Sequence, residues 1–161
     1  MAMGLAVIEA ARAAGEGQSL AQVSSVAQDI LKRVKLYFIP ATLDYLQKGG
    51  RIGGAAALLG SILHIVPILY VTGGRVELLE KARGMRSAEE RLLNLIEIDC
   101  QKSGGVEQAV VHHVLCPEKG SEVALLLEKR FNVKAPIFPI GPVLGLHAGP
   151  GAFGVVYVTK N

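Results

Sequence analysis

Apolar side chains recur along this chain in two rhythms, every three to four residues and every second residue, and their order sketches a fold. Residues 3 to 14 are apolar and alanine-rich, and Gly15 and Gly17 stop the helix they predict. Across residues 20 to 34, Leu20, Val23, Ala27, Ile30, Leu31 and Val34 keep helical spacing while Gln22, Asp29, Lys32 and Arg33 fall between them. One face therefore packs and the other meets water, with Ser19 placed to cap the start. LYFI before Pro40 reads as a short strand. Thr42 is expected to N-cap a helix through Lys48 that ends on Gly49-Gly50, and a second helix of small and aliphatic residues is expected near 53 to 62. PILYVT and RVELLEKA flank Gly73-Gly74 as a hairpin. Ser87 with Glu90 is expected to form a capping box opening a helix to about Ser103, which Gly104-Gly105 closes. The remainder runs strand (EQAVVHHVL), helix (SEVALLLEKRF), strand (KAPIFPI), glycine-rich segment and strand (AFGVVYV). That alternation predicts an α/β fold, a mixed sheet flanked by helices in a single domain over residues 1–161, part of it antiparallel because of the hairpin.

Composition narrows the class. Hydrophobic residues make up 50% of the chain and charged ones 19%, enough apolar material to bury a core and too much for general disorder. A net charge of +3 invites a nucleic-acid reading, but there is no Lys/Arg run, and aromatics at 5% supply no stacking platform. Cys100 and Cys116 stand alone without CxxC spacing, and the N-terminus lacks a signal-type pattern, so a reduced, cytoplasmic protein is expected. Residues 52 to 71 carry no formal charge over a bilayer-spanning length. Pro67, the glycines and His64 interrupt that run, which is better divided into a buried helix and a strand entering the Gly73-Gly74 turn, with no transmembrane segment.

Candidate chemistry lies in three stretches. Gly141, Gly145, Gly149, Gly151 and Gly154 surround His147 together with Pro142 and Pro150. Such a loop can bring backbone N–H groups up to an anion, with His147 donating to a carboxylate or phosphate oxygen; equally, His147 can be a structural histidine satisfied by a backbone carbonyl. Arg51 sits between Gly49-Gly50 and Ile52-Gly53-Gly54, where a guanidinium can grip an oxyanion, pair with Asp44, or contact a helix-end carbonyl. Lys81, Arg83 and Arg86 precede the expected capped helix and suit either an anionic partner or a solvated basic turn. His112 and His113 are adjacent and so alternate across a strand. With no HExxH or Cys/His spacing, no metal site is expected; no GxSxG or GxxxxGK[ST] signature appears, and no GxGxxG follows a strand.

LDYLQKGGRIGG at positions 43 to 54, KAR at 81 to 83 and IGPVLGLHAGPG at 140 to 151 resemble the DegV family, and the likeness runs over nearly the whole chain. The resemblance implies the C-terminal lobe of a two-lobed α/β carrier, the N-terminal lobe and its hydroxyl-bearing loops being absent from this chain. It implies a cytoplasmic bacterial protein that binds one long-chain fatty acid and presents the carboxylate to a separate fatty-acid kinase subunit, which makes the acyl phosphate. The carrier is then a lipid-binding subunit rather than an enzyme, with no cofactor and no metal. Carried over by position, the resemblance puts His147 at the headgroup and Arg51 and Arg83 near it or on the kinase-facing surface. Gly149 and Ser61 complete the implied ligand-binding set, and Ala56, Leu59, Ile62 and Leu63 are expected to line a tunnel for the acyl chain. Leu146 and Ala148 stand where members often carry threonine, and Gly84 where a threonine commonly follows the arginine, so hydroxyl donors are lost. An apolar face left open by the missing lobe predicts a homo-oligomer. Two other readings compete: an enzyme of acyl or phosphoryl transfer using His147, and a ligand-free dimerisation scaffold.

Overall fold

The strand Phe153–Thr159 is buried at every position, so the sheet around it must be covered on both faces. A computed structural model describes residues 1–59 and 64–160 and shows how that cover is built. In chain order the elements are α1 (Ala2–Gly15), α2 (Leu20–Arg33), β1 (Val34–Ile39), α3 (Asp44–Lys48), a 3-10 helix (Gly53–Leu58), β2 (Ile65–Thr72), β3 (Arg75–Arg83), α4 (Met85–Gln101), β4 (Val106–His113), α5 (Pro117–Phe131), β5 (Ile137–Pro139), α6 (Pro142–Ala148) and β6 (Phe153–Thr159). The strands form one six-stranded sheet in the order β3-β2-β1-β6-β4-β5. β4 and β5 run parallel and the other neighbours antiparallel, so the sheet is mixed, as the hairpin required.

Alternation divides the side chains between two faces. Tyr37, Ile39, Ile68, Val111, Phe153, Val155 and Tyr157 point toward α4 and α5, which answer with Leu92, Ile96, Val123 and Leu127 in one core. On the opposite face α1 and α2 cover one end of the strands, with Leu5, Ala6 and Ile30 against Val110, Val156 and Val158. The other end of that face is covered by α3 and the 3-10 helix, through Leu46 and Ala55 against Leu69. α6 packs beside α3. Between these two groups the half-buried Leu36, Phe38 and His112 lie at an opening in the cover.

Local chemistry explains most boundaries. Ser19 caps α2 in a full capping box: its Oγ accepts from the Gln22 N–H at 3.5 Å, while the Gln22 side chain accepts from the Ser19 N–H at 2.9 Å. Gly73 and Gly74 take φ of 55° and 75°, the pair of positive values that a tight hairpin turn needs. Four sequence expectations require correction. Thr42 does not cap α3: the helix starts at Asp44 after Leu43, and Thr42 Oγ1 accepts from the Asp44 N–H at 3.2 Å in a local turn. The short second helix is a 3-10 turn ending at Leu58, and residues 60–63 lie outside the described residues. Ser87 lies within the first turn of α4, because Gly84 at φ 81° turns the chain earlier and starts the helix at Met85 without a side-chain cap. The glycine-rich segment is not all loop: Pro142 at the first helical position starts α6, and Gly149 at φ 80° ends it.

Candidate functional site

This part of the sheet forms the floor of an open groove of about 590 Å³, within the usual range for small-ligand sites. Its floor follows the strand register. Phe38, Gly154 and His112 sit side by side across β1, β6 and β4, and Leu36 pairs with Val156 in the next row. Gly154 keeps the floor low: a Cβ there would come within 2.6 Å of the Phe38 Cβ and 2.8 Å of the Tyr37 carbonyl oxygen. Val71, Gly74, Arg75 and Val76 bound the groove where β2 turns into β3, and Pro139, Ile140 and Gly141 bound it after β5. Crossing from β2 to β5 takes four strand spacings, roughly 19 Å at about 4.8 Å each.

One wall carries the polar groups. α3 and the residues after it contribute Leu46, Gly50, Arg51 and Gly53, and α6 contributes Leu144, His147 and Ala148. Arg51 is exposed, and its Nη1 donates to the Gly49 carbonyl at 3.1 Å. Of the two protein partners considered for Arg51, the structure shows the helix-end carbonyl rather than Asp44, and this contact steadies the guanidinium at the rim. His147 stands in the last turn of α6 with its Nδ1 buried and without a hydrogen-bond partner among the described residues. Among the described residues no backbone carbonyl satisfies this nitrogen. A second arginine, Arg75, joins Arg51 at the groove, and no Asp or Glu is among the lining residues. The result is a cationic rim over an apolar floor.

Sequence reasoning singled out Arg51 and His147, and the fold brings them to one wall. Gly149 closes α6 beside them rather than lining the groove, and the Tyr45 ring occupies the space where its side chain would stand. Arg83 is exposed at the end of β3, away from the lining residues, and Lys81 and Arg86 are exposed too. Ser61, Ile62 and Leu63 lie outside the described residues. Ala56 and Leu59 are exposed and do not line the groove, since the 3-10 helix buries Ala55 and Leu58 instead. Arg75 and His112 were missed by sequence reasoning. His112 Nδ1 lies 3.1 Å from the Phe138 carbonyl oxygen, which assigns the ring proton to Nδ1; its Nε2 is buried without a partner among the described residues, and burial pushes its pKa below the ordinary histidine value. The signal for both was available in the strand alternation, which puts His112 on the same face as Val110, and in the position of Arg75 just after the glycine turn.

Among the described residues no helix is long and apolar enough to cross a membrane. The profile of the DegV family, described as uncharacterised proteins, matches residues 1–160. A DegV domain-containing protein from Clostridium acetobutylicum is 42% identical over 161 residues, covering 100% of this chain and 56% of the relative. A solved DegV-family structure from Thermus thermophilus, described as binding fatty acid, superposes with a TM-score of 0.88 at 30% identity, covering 97% of this chain and 56% of that one. The DegV protein of Bacillus subtilis, described as a fatty-acid-binding protein, gives a TM-score of 0.82 at 30% identity over 99% of this chain and 56% of its own. The chain thus spans a little over half the length of the relatives it matches.

Proposed function

This chain belongs to the DegV family, and from that premise we propose that it binds a long-chain fatty acid, with the acyl chain in the groove and the carboxylate against Arg51 and His147. The observation that carries the reading is the lining of the groove, a largely apolar floor that includes His112, with Arg51, Arg75 and His147 around it and no Asp or Glu among the lining residues. A carboxylate on an alkyl chain complements both parts: the tail removes apolar surface from water at about 0.8 kcal/mol per methylene, and the headgroup meets a guanidinium fork and an imidazole. The fatty-acid binding of the Thermus thermophilus and Bacillus subtilis proteins supports the same ligand class. Gly149 acts at one remove, by ending α6 so that His147 falls at the wall.

The finer parts belong to the same proposal. The chain acts as one lobe of a two-lobed cytoplasmic carrier, its groove completed by a second lobe. The carrier presents the carboxylate to a separate kinase subunit, with Arg83 on the surface that subunit meets and Ser61 near the ligand. Exposed Val143, Leu144 and Leu146 on α6 support self-association of the chain when nothing else covers them.

A titration with palmitic acid, backed by mass spectrometry of an organic extract from the fresh protein, tests the reading. The parent chain is expected to bind one equivalent, and the Arg51→Ala/His147→Ala variant to bind at least tenfold more weakly, because two hydrogen bonds to a charged group are removed. Equal affinity in both proteins, or saturation by neither, would sink it.

A further inference from the structure

Gly49, at the end of α3, raises a question of why it is glycine. Its backbone sits at φ −79° and ψ −2°, a conformation open to any L-residue. The next residue differs: Gly50 at φ 65° has open space around a would-be Cβ and is glycine for backbone reasons. At Gly49 the constraint is the neighbour. A Cβ there would overlap His147 Nδ1, and would come within 2.9 Å of the His147 Cε1 and 3.1 Å of the Tyr45 carbonyl oxygen. The imidazole therefore occupies the place of the missing side chain, with the Nδ1 edge shut in and unpartnered among the described residues.

We propose that Gly49 is a positioning residue: lacking a Cβ, it lets the Nδ1 edge of His147 bury against the end of α3, which fixes the ring as its Nε2–H tautomer with that donor left for the groove. The reasoning is one of unequal costs. A proton on Nδ1 would strand a buried N–H with no acceptor among the described residues, whereas a proton on Nε2 leaves only a buried lone pair; orphaned buried donors are the rarer of the two. An Nε2–H donor matches an oxyanion, and Arg51, anchored on the carbonyl of the same Gly49, brings its guanidinium to the same wall. Gly49 thus serves both polar groups of the site, one through its empty side-chain position and the other through its carbonyl. The inference rests on the reading of the groove as an oxyanion-binding site, but the ring's tautomer can be measured without any ligand.

The experiment is nitrogen NMR of the full chain with ¹⁵N-labelled histidine, on the parent protein and on Gly49→Ala. In the parent, His147 Nδ1 is expected to resonate as an unprotonated nitrogen and Nε2 as a protonated one. In Gly49→Ala the ring is pushed outward, Nδ1 meets water and the two tautomers mix. An Nδ1–H tautomer in the parent, or an unchanged tautomer in a folded Gly49→Ala, would overturn the proposal. A palmitic-acid titration adds a double-mutant cycle. Gly49→Ala is expected to weaken binding about tenfold in the parent and to have no further effect in a His147→Ala background; an equal loss in both backgrounds would make Gly49 merely structural. Failure of the parent to bind palmitic acid, with the expected tautomer present, would count against the fatty-acid ligand and leave the role of Gly49 standing.

Discussion

Asp99 organises a polar cluster beneath the larger core. Its carboxylate accepts from the Tyr37 hydroxyl at 2.7 Å and from the Tyr157 hydroxyl, and pairs with Lys35; the two tyrosine rings meet edge to face at 5.6 Å. Burial pushes the carboxyl group up, but these three donors outweigh it and hold its pKa below the ordinary aspartate value. Burial, aided by Asp99, raises the Tyr37 phenol to about 12. Tyr157→Phe is expected to cost about 1.5–3 kcal/mol, the range for a hydrogen bond to a charged group, read from urea unfolding. Because the folded pKa of Asp99 lies below the unfolded one, its contribution is complete above the unfolded value and is lost as pH falls through the folded value. Stability should therefore decline below about pH 4, and Asp99→Asn should lack that part of the acid limb; identical acid limbs would refute the assignment. None of this cluster is legible in the sequence, where Asp99 is one polar position on an amphipathic helix and its partners depend on which helix face meets which strand. Arg51 and His147 are legible because each is a lone polar group among small residues. Gly49 is not, since nothing in the string distinguishes a glycine kept for its backbone from one kept for its neighbour.

Elements with strong periodicity could be read directly. α4 buries Ala88, Leu92, Leu93, Ile96 and Cys100 at helical spacing, and the hairpin announces itself through Gly73-Gly74. Ile96 is fully buried between α4 and the sheet, so Ile96→Ala is expected to lower unfolding stability by about 2–5 kcal/mol. A loss below 1 kcal/mol in chemical denaturation would mean that this layer is not closely packed. Elements set by tertiary fit were harder to read. α6 is seven residues long and contains Gly145, too short and too weak a helix former to declare itself. It is held by Pro142 at its start and by packing beside α3. The end of α5 at Phe131 falls where the apolar pattern stops, with Asn132 at φ 53° as its left-handed cap, but its first turn, opened by Pro117, lies ahead of the expected start at Ser121. The start of α4 was misread for the opposite reason: Ser87 and Glu90 carry a strong local motif, yet the turn at Gly84 comes first.

For the molecule as a whole, the α/β class and mixed sheet follow from the order of elements, whereas the groove follows from a mismatch in how the helices cover one face. No pattern along the chain encodes the groove, which forms where helices from distant parts of the chain cover one face of the sheet only in part. Away from the groove α6 is also apolar, with Val143 74% and Leu146 72% exposed. Replacing Val143 and Leu146 with Glu should cost little stability, since neither is packed, while shifting the chain from an associated to a monomeric particle in analytical ultracentrifugation at micromolar concentration. A parent chain that is already monomeric would remove the case for self-association.

The groove is a trough rather than a tube. Cargo can be laid into a trough along its whole length at once, so loading need not begin with one end threading through a mouth, and the chain need not breathe to let it in. What lies in the trough keeps one flank wet, however, and that flank sets the rate of loss. A cover over the open side would add a great deal to how long the trough holds on.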